Sequence, residues 1–492
     1  MTLRLYNTLS GQIEELGAPT GKPLGIYACG PTVYDYGHIG NFRTFVHVDI
    51  LRRFLEQQGV PLRHVMNITD VDDKIMRNAA ASGQSIGDYT AKYEKAFLED
   101  LDSLGVEKPE CLARATEHIP QMVNLVQQLV QRGCAYRGEN GSYYFRIASF
   151  PGYGKLSKKD LAGMEDGARV DVDEYDKDSA RDFALWKAAA PGEFHWDTPL
   201  GPGRPGWHIE CSAMATEYLG ESFDLHAGGE DLMFPHHENE IAQSESASGT
   251  VFARHWMHVR FLLVEGKKMS KSLGNFYTLR DLLLRGYKAS AIRFLLTSVP
   301  YRNQLNFTFD GLVESTHAVE RLRIFAARLH KGNFPTGVNA QLAQATEQAG
   351  KAFTSALEDD LNTAEARAAI FDLVRLANSH ADRGELHAEN VGPILDVLAK
   401  FDAVFAVLED RDDAVTRSAL EWAEHEQRLQ DAAPEVIARF SITEDAIEQL
   451  IAERNAARKS RNFARADAIR QELAGKGILL EDSADGVRWR RK

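Results

Sequence analysis

The stretch from Leu24 to Thr69 constrains this chain more than any other. Leu24 to Cys29 is a short apolar run of strand length, and Gly30-Pro31-Thr32 ends it. From His38 to about Gln57, Ile39, Phe42, Val46, Ile50 and Phe54 recur three or four residues apart, the spacing of one helix face. Arg63 to Thr69 then reads as a second strand. A strand, a sharp break, a long helix and another strand make a βαβ unit, which commits this part to a parallel, Rossmann-like sheet.

At 492 residues the chain is too long for one ordinary domain. Between about Cys111 and Pro205 the α/β rhythm is lost. A helical stretch from Ile119 to Arg132 leads to a hairpin around Glu139-Asn140-Gly141, then to a segment rich in Gly, Lys and Asp. The rhythm resumes with a helix near His208 to Leu219, a strand at Phe223 to His226 and a helix after Pro235. From about Asp310 onward only helical periodicities remain, broken near Lys331 to Val338 and Asp410 to Ala414. The expected fold class is α/β: a Rossmann-like parallel-sheet catalytic domain (1–110 and 206–308) with an inserted subdomain (111–205). An all-α helical bundle (309–409) and a small C-terminal module (410–492) follow.

Nowhere do about 18 uncharged apolar residues run together, so neither a membrane span nor a signal peptide is read, and the chain is expected to be cytoplasmic. Four cysteines are too few for a disulfide scaffold; in the cytosol they would be buried thiols or metal ligands. A net charge of −14 argues against indiscriminate nucleic-acid binding. The charge is segregated, however. From Ile451 onward eleven Lys or Arg face six acids, a net +5, which leaves −19 on the other 450 residues. A polyanion-binding end and a solvated basic tail both fit that asymmetry.

Three groups of residues could carry chemistry. Lys268-Met269-Ser270-Lys271-Ser272, followed by Leu273-Gly274-Asn275, lies just past the apparent strand Phe261 to Val264. Two lysines three apart among small hydroxyl residues make a cationic loop able to hold a triphosphate. Gly37-His38-Ile39-Gly40-Asn41 opens the first long helix, where free backbone N–H groups favour phosphate. There an imidazole can donate a hydrogen bond to developing charge. Cys29, Cys211 and the pair His236 and Glu240, four apart on one helical face, make up the third group. Together they could form a four-ligand zinc site. Two buried cysteines beside a solvated acidic helix fit the same spacing, and spacing does not choose between them.

The lysine string resembles the second nucleotide-binding motif of class I aminoacyl-tRNA synthetases, and the His38 string resembles the first, with Asn41 where a second histidine is usual. Four segments narrow the resemblance to the cysteinyl-tRNA synthetases. They are Cys29-Gly-Pro-Thr-Val-Tyr-Asp35, Asn67-Ile-Thr-Asp-Val-Asp-Asp-Lys74, Pro205-Gly-Trp-His-Ile-Glu-Cys-Ser-Ala-Met214 and Asp231-Leu-Met-Phe-Pro-His-His-Glu-Asn-Glu240. The resemblance implies zinc on Cys29, Cys211, His236 and Glu240, where the substrate thiol joins it. It implies a cysteine pocket of Gly30, Thr69, Trp207, His208 and His226. ATP would be handled by His38, Asn41, Gly229, Asp231, Lys268 and Lys271, with Mg²⁺ on the nucleotide. His38, Lys268 and Lys271 are the expected catalytic groups. A metal that prefers a thiolate over an alcohol would select cysteine against serine, which differs by one atom, and would make an editing domain unnecessary.

By the same resemblance the partners are ATP, L-cysteine and tRNA(Cys), with no membrane. Oligomeric state is not legible, and a monomer is the working expectation. Asp359-Asp-Leu-Asn-Thr363, within a helical region, resembles the family's anticodon-binding bundle. Arg454 to Trp489 resembles its C-terminal module, where Trp489 is chemically suited to stacking on a base. Cys111 and Cys134 are read as idle or buried thiols, and His255 and His258 as packing residues. One rival is a ligase that hands activated cysteine to a small amine; its signature is a shortened helical half without the basic end. Another is a non-catalytic tRNA-binding paralogue, which would not need the lysines, His38 or the four ligands.

Overall fold

Leu24–Ala28 forms a strand (β1) buried on both faces, as a central parallel strand must be. After helix α1 (Ile39–Gln57) the chain returns as β2 (Leu62–Ile68), parallel to β1, and β3 (Cys111–Arg114) adds beyond it. On the other side β4 (Phe223–Gly229) pairs with β1, and β5 (Ala253–Val259) with β4, again parallel. The order β5-β4-β1-β2-β3 means that the chain winds outward in one direction and then in the other. Between β1 and β4 lies the switch point of such a sheet, and its ligand crevice opens at the carboxyl ends of those strands.

This computed structural model describes residues 3–17, 21–158, 182–442, 444–483 and 486–491. The Gly-, Lys- and Asp-rich segment expected after the first hairpin lies largely in 159–181, outside the described residues. The expected insertion contains a four-stranded antiparallel sheet of Ala135–Arg137, Tyr143–Phe145, Phe183–Ala188 and Gly203–Pro205. Lys187 and Arg204 from this sheet reach back to the Asp73 carboxylate at 3.0 and 2.8 Å.

Two expectations change. Cys111–Arg114, placed in the insertion by its broken rhythm, pairs with β2 as an edge strand of the main sheet. Only four residues long, it shows too little periodicity to be read. The C-terminal end is not purely helical, because Ile478–Ser483 and Gly486–Arg491 form an antiparallel hairpin. Asp359 to Asn362, within the helical region as expected, is the corner between two of its helices, where Asp360 and Leu361 have φ of 58° and 50°. The Asp360 carboxylate there accepts from the Tyr6 backbone N–H at 2.8 Å and the Tyr301 hydroxyl at 2.6 Å.

Four helices, Phe309–Lys331, Ala340–Glu358, Thr363–Asp382 and Ala388–Phe405, pack together. Phe353 and Phe401 of this group share one core cluster with Leu24, Ile26 and Ile50 of the sheet and α1. Buried Arg293 fastens the same junction, giving its guanidinium to Asp49 and to the carbonyls of Leu104 and Phe405. Among the described residues no helix is long and apolar enough to cross a membrane.

Candidate metal centre and nucleotide site

Cys29 directly follows β1, and its backbone N–H still reaches the Ala227 carbonyl of β4 at 3.1 Å, so the thiol stands at the switch point. The next residue must be glycine, because a Cβ on Gly30 would lie 1.8 Å from the Asn67 carbonyl oxygen. Cys211 comes from α2 (Trp207–Leu219), which begins at Gly206 pressed against the insertion's sheet, where a Cβ would meet the Ala184 carbonyl at 2.1 Å. An irregular turn over Met233–His237, with a cis Phe234–Pro235 peptide, delivers His236 and leads into α3 (Glu238–Ser248).

These elements converge. Sulfur atoms of Cys29 and Cys211 lie 3.8 Å apart, and His236 Nε2 lies 3.2 Å from Glu240 Oε1. One ligand atom from each of Cys29, Cys211, His236 and Glu240 falls within 4.8 Å of all the others, and all four side chains are buried. Cys29, His226, His237 and Glu240 form an overlapping set. The alternative of a solvated acidic helix does not hold. Glu238, Asn239 and Glu240 are buried, and Glu238 accepts backbone N–H groups of Gly154 and Ser157 at 2.8 and 2.9 Å.

Burial raises the Cys29 thiol well above its ordinary range, with the neighbouring Cys211 and Glu240 adding to it. His236 is pushed down to about 3, chiefly by burial. Two thiolates and a carboxylate in one dry pocket are costly without a cation, and with a neutral imidazole they are the donor set that a soft dication takes. The donor chemistry therefore fits zinc.

Around the four ligands sit the other expected pocket residues. The Trp207 ring lies 4.3 Å from that of His236, and His208 Nδ1 faces His236 Nδ1 at 3.0 Å. His226 Nε2 sits 2.9 Å from Glu240 Oε2, with its ring stacked on Trp256. The Thr69 hydroxyl donates to buried Glu210, whose carboxyl is raised by burial. Several contributors escaped the sequence reading. His237 Nε2 lies 3.3 Å from the Cys29 sulfur, and its Nδ1 lies 2.8 Å from His258 Nε2. His258, expected only to pack, thus supports His237 through a hydrogen bond. His255 lies 3.6 Å from Glu14, and Cys111 and Cys134 belong to no ligand cluster among the described residues. The adjacent His236-His237 pair was a signal for the second histidine.

The His38 segment and the lysine loop, both expected to handle ATP, meet. His38 caps α1: its Nδ1 accepts the Asn41 backbone N–H at 3.2 Å, and Asn41 Oδ1 accepts the His38 N–H at 3.1 Å. A ring that accepts at Nδ1 carries its proton on Nε2. Burial, and then Lys271, lower His38 to about 4, so the ring is neutral at pH 7. The backbone of Ile39 bonds to Tyr277, and a Cβ on Gly40 would lie 3.3 Å from the Met269 methyl, so the lysine loop rests on the start of α1. Lys268 lies on a two-residue edge strand and Lys271 opens a short helical turn capped by Ser270. Asp231, beyond Gly229 at the end of β4, is raised by burial and offset by the Lys268 charge.

Known proteins resemble the chain throughout. A family model described as tRNA synthetases class I (C) catalytic domain matches residues 18–317. A DALR domain model matches 352–409, and a cysteinyl-tRNA ligase anticodon binding domain model matches 443–490. A cysteine–tRNA ligase of Koribacter versatilis is 58% identical over 495 residues, spanning 100% of both chains. One of Solibacter usitatus is 55% identical over 492 residues, again across 100% of each. Among solved structures, methionyl-tRNA synthetase of Mycobacterium tuberculosis with methionyl-adenylate superposes with a TM-score of 0.58 at 16% identity. That match covers 86% of this chain and 95% of the other, a likeness of fold.

Proposed function

The chain belongs to the cysteinyl-tRNA synthetases of class I, and on that premise we propose that Cys29, Cys211, His236 and Glu240 hold the zinc ion by which it selects cysteine. Its activity is ATP-dependent cysteine–tRNA ligation. The observation that carries the metal reading is the convergence of two sulfurs, one imidazole and one carboxylate, all buried, at the switch point of the sheet. Bound there, zinc would supply a soft Lewis acid that favours a thiolate over an alcohol and lowers the substrate thiol's pKa.

The protein's own residues position the rest. Gly30, Thr69, Trp207, His208 and His226 surround the amino acid, and rigid backing by Glu210 and Trp256 fixes two of them. The cysteine carboxylate oxygen attacks the α-phosphorus of ATP, and the bond to the bridging oxygen breaks to release pyrophosphate, leaving cysteinyl-adenylate. His38 offers its Nε2–H to the charge that develops, with Asn41 holding the ring in that tautomer. Lys268 and Lys271 neutralise the departing phosphates, Gly229 and Asp231 receive the adenosine, and Mg²⁺ accompanies the nucleotide. A hydroxyl of the tRNA's terminal ribose then attacks the activated carbonyl, and AMP leaves. This is catalysis by placement and charge stabilisation.

Cysteine-dependent ATP–pyrophosphate exchange by metal-replete protein, followed by transfer to tRNA(Cys), tests the reading. Exchange with cysteine and not serine, and transfer to tRNA rather than to small amines, is the expected result. Absence of exchange overturns it.

A further inference from the structure

Residues 410–442 lie between the match to the DALR model, which ends at 409, and the anticodon-binding match, which begins at 443. Helix Asp412–His425 opens this segment. The ring of its Trp422 meets the Tyr36 ring edge to face, with centroids 5.2 Å apart. Tyr36 in turn orients Asp35: its backbone N–H donates to Asp35 Oδ1 at 2.9 Å, while Oδ2 accepts from Lys271 at 2.7 Å. The same indole braces the helix into which the lysine loop runs, Leu279–Leu284. The Arg280 guanidinium of that helix lies over Trp422, 4.7 Å from the ring centre, and 5.6 Å from that of Tyr36. Buried Arg280 is fixed there by Asp100 and Glu99, each at 2.8 Å. Arg428, from the turn that follows, lies over Trp422 as well, at 5.2 Å, and 3.6 Å from Asp281. Asp281 and Thr278 cap each other at the start of Leu279–Leu284. Trp422 and Met269 of the lysine loop also pack on one core cluster with Leu282 and Ala423.

We propose that Trp422 is a positioning residue for the ATP step. From outside the matched catalytic domain (18–317) it sets where Lys271 and the start of Leu279–Leu284 rest, and so how the loop meets the triphosphate. A cation over a π face is held more strongly where water is partly excluded, and an aliphatic side chain offers neither guanidinium such a face. One indole thereby serves both supports of the loop, the carboxylate that holds its lysine and the helix that closes it. The inference rests on reading Lys268 and Lys271 as the ATP-handling pair, and adds a residue that acts only through Tyr36 and the two arginines. It gives the segment after the bundle a task in adenylation that is separate from binding tRNA.

Steady-state ATP–pyrophosphate exchange by full-length, metal-replete protein tests this on Trp422→Leu, Trp422→Phe, Arg428→Gln and Lys271→Ala. Trp422→Leu is expected to raise KM for ATP about 10-fold and to leave KM for cysteine within about twofold. Trp422→Phe keeps a π face and should stay within about threefold of wild type. Arg428→Gln changes a side chain that is 37% exposed, so it spares the core, and should raise KM for ATP about threefold. It carries the test if Trp422→Leu does not fold. A loosened fold only lowers the amount of active protein, which reduces kcat and leaves both KM values alone. An unchanged KM for ATP, or an equal rise in KM for cysteine, in Arg428→Gln and in folded Trp422→Leu would overturn the role of Trp422. With Lys271→Ala impaired, that result leaves the ATP reading intact. A Lys271→Ala protein that exchanges as well as wild type would overturn both.

Discussion

Lys271 Nζ lies 2.7 Å from Asp35 Oδ2, so a lysine of the Lys268-to-Ser272 loop is held by the last residue of the Cys29-to-Asp35 segment. The hydrogen bond to Asp35 raises the lysine's pKa, and it stays charged. The pair is largely exposed, at 66% and 38%, so it is weak and easily exchanged for a triphosphate. Lys271→Ala is expected to lower the rate of ATP–pyrophosphate exchange about 10²–10³-fold. Asp35→Asn should alter KM for ATP by no more than about fivefold. Steady-state exchange kinetics check both, and a larger loss from Asp35→Asn than from Lys271→Ala would contradict this assignment.

His38 provides a pH test. With its pKa lowered to about 4 in the folded protein against a reference of 6.5, the unfolded chain binds more protons between those values. Its contribution to stability is therefore complete above about pH 6.5 and is lost as pH falls through about 4. Across pH 6 to 9 the ring is neutral and should add no titration to the exchange rate. Imidazole ¹⁵N spectra should show Nε2 protonated and Nδ1 bare. Asn, which keeps a donor, should retain more activity at position 38 than Ala.

Arg293 tests how the helical half is fastened. It is buried beside Asp49 and bonds to carbonyls from two other segments. Arg293→Met should cost about 3–5 kcal/mol, because it strips a buried charge and three carbonyls, those of Leu104, Val404 and Phe405, of their partner. Urea unfolding followed by both circular dichroism and tryptophan fluorescence measures it. A cost under about 1 kcal/mol would show that the junction holds by apolar packing alone.

Residues 443–490 match an anticodon-binding model, and their apolar residues, among them Ile447, Ile469 and Leu473, form a separate core cluster. Removing this end should leave ATP–pyrophosphate exchange within about twofold and lower tRNA charging at least about tenfold. The deficit should shrink as salt rises, because the lost contacts are ionic. Equal loss of both activities would contradict a separable tRNA-binding role.

Much of the catalytic half was legible because its signals are local. The run to Cys29, the break at Gly30 and the face of α1 are all read within one βαβ unit, and the lysine string is contiguous. The metal centre was not legible from spacing, since Cys29 and Cys211 are 182 residues apart and meet through strand pairing and the placement of α2. Resemblance supplied the ligands that periodicity could not. The C-terminal hairpin escaped because Ile478, Leu479 and Leu480 are its longest apolar run, with acids after them and arginines in the partner strand. Trp489, read as a stacking platform, half-buries its ring on the module's core and gives its indole N–H to Glu448 at 2.6 Å.

Zinc-edge X-ray absorption of the reconstituted protein, alone and with each amino acid, bears most directly on the whole account. Two sulfurs and two lighter atoms should surround the ion, from Cys29, Cys211, His236 and Glu240. One further sulfur should appear with cysteine and none with serine. A sulfur count that cysteine does not change, or an ion still bound with both sulfurs in Cys211→Ser, would contradict selection of the substrate at this centre.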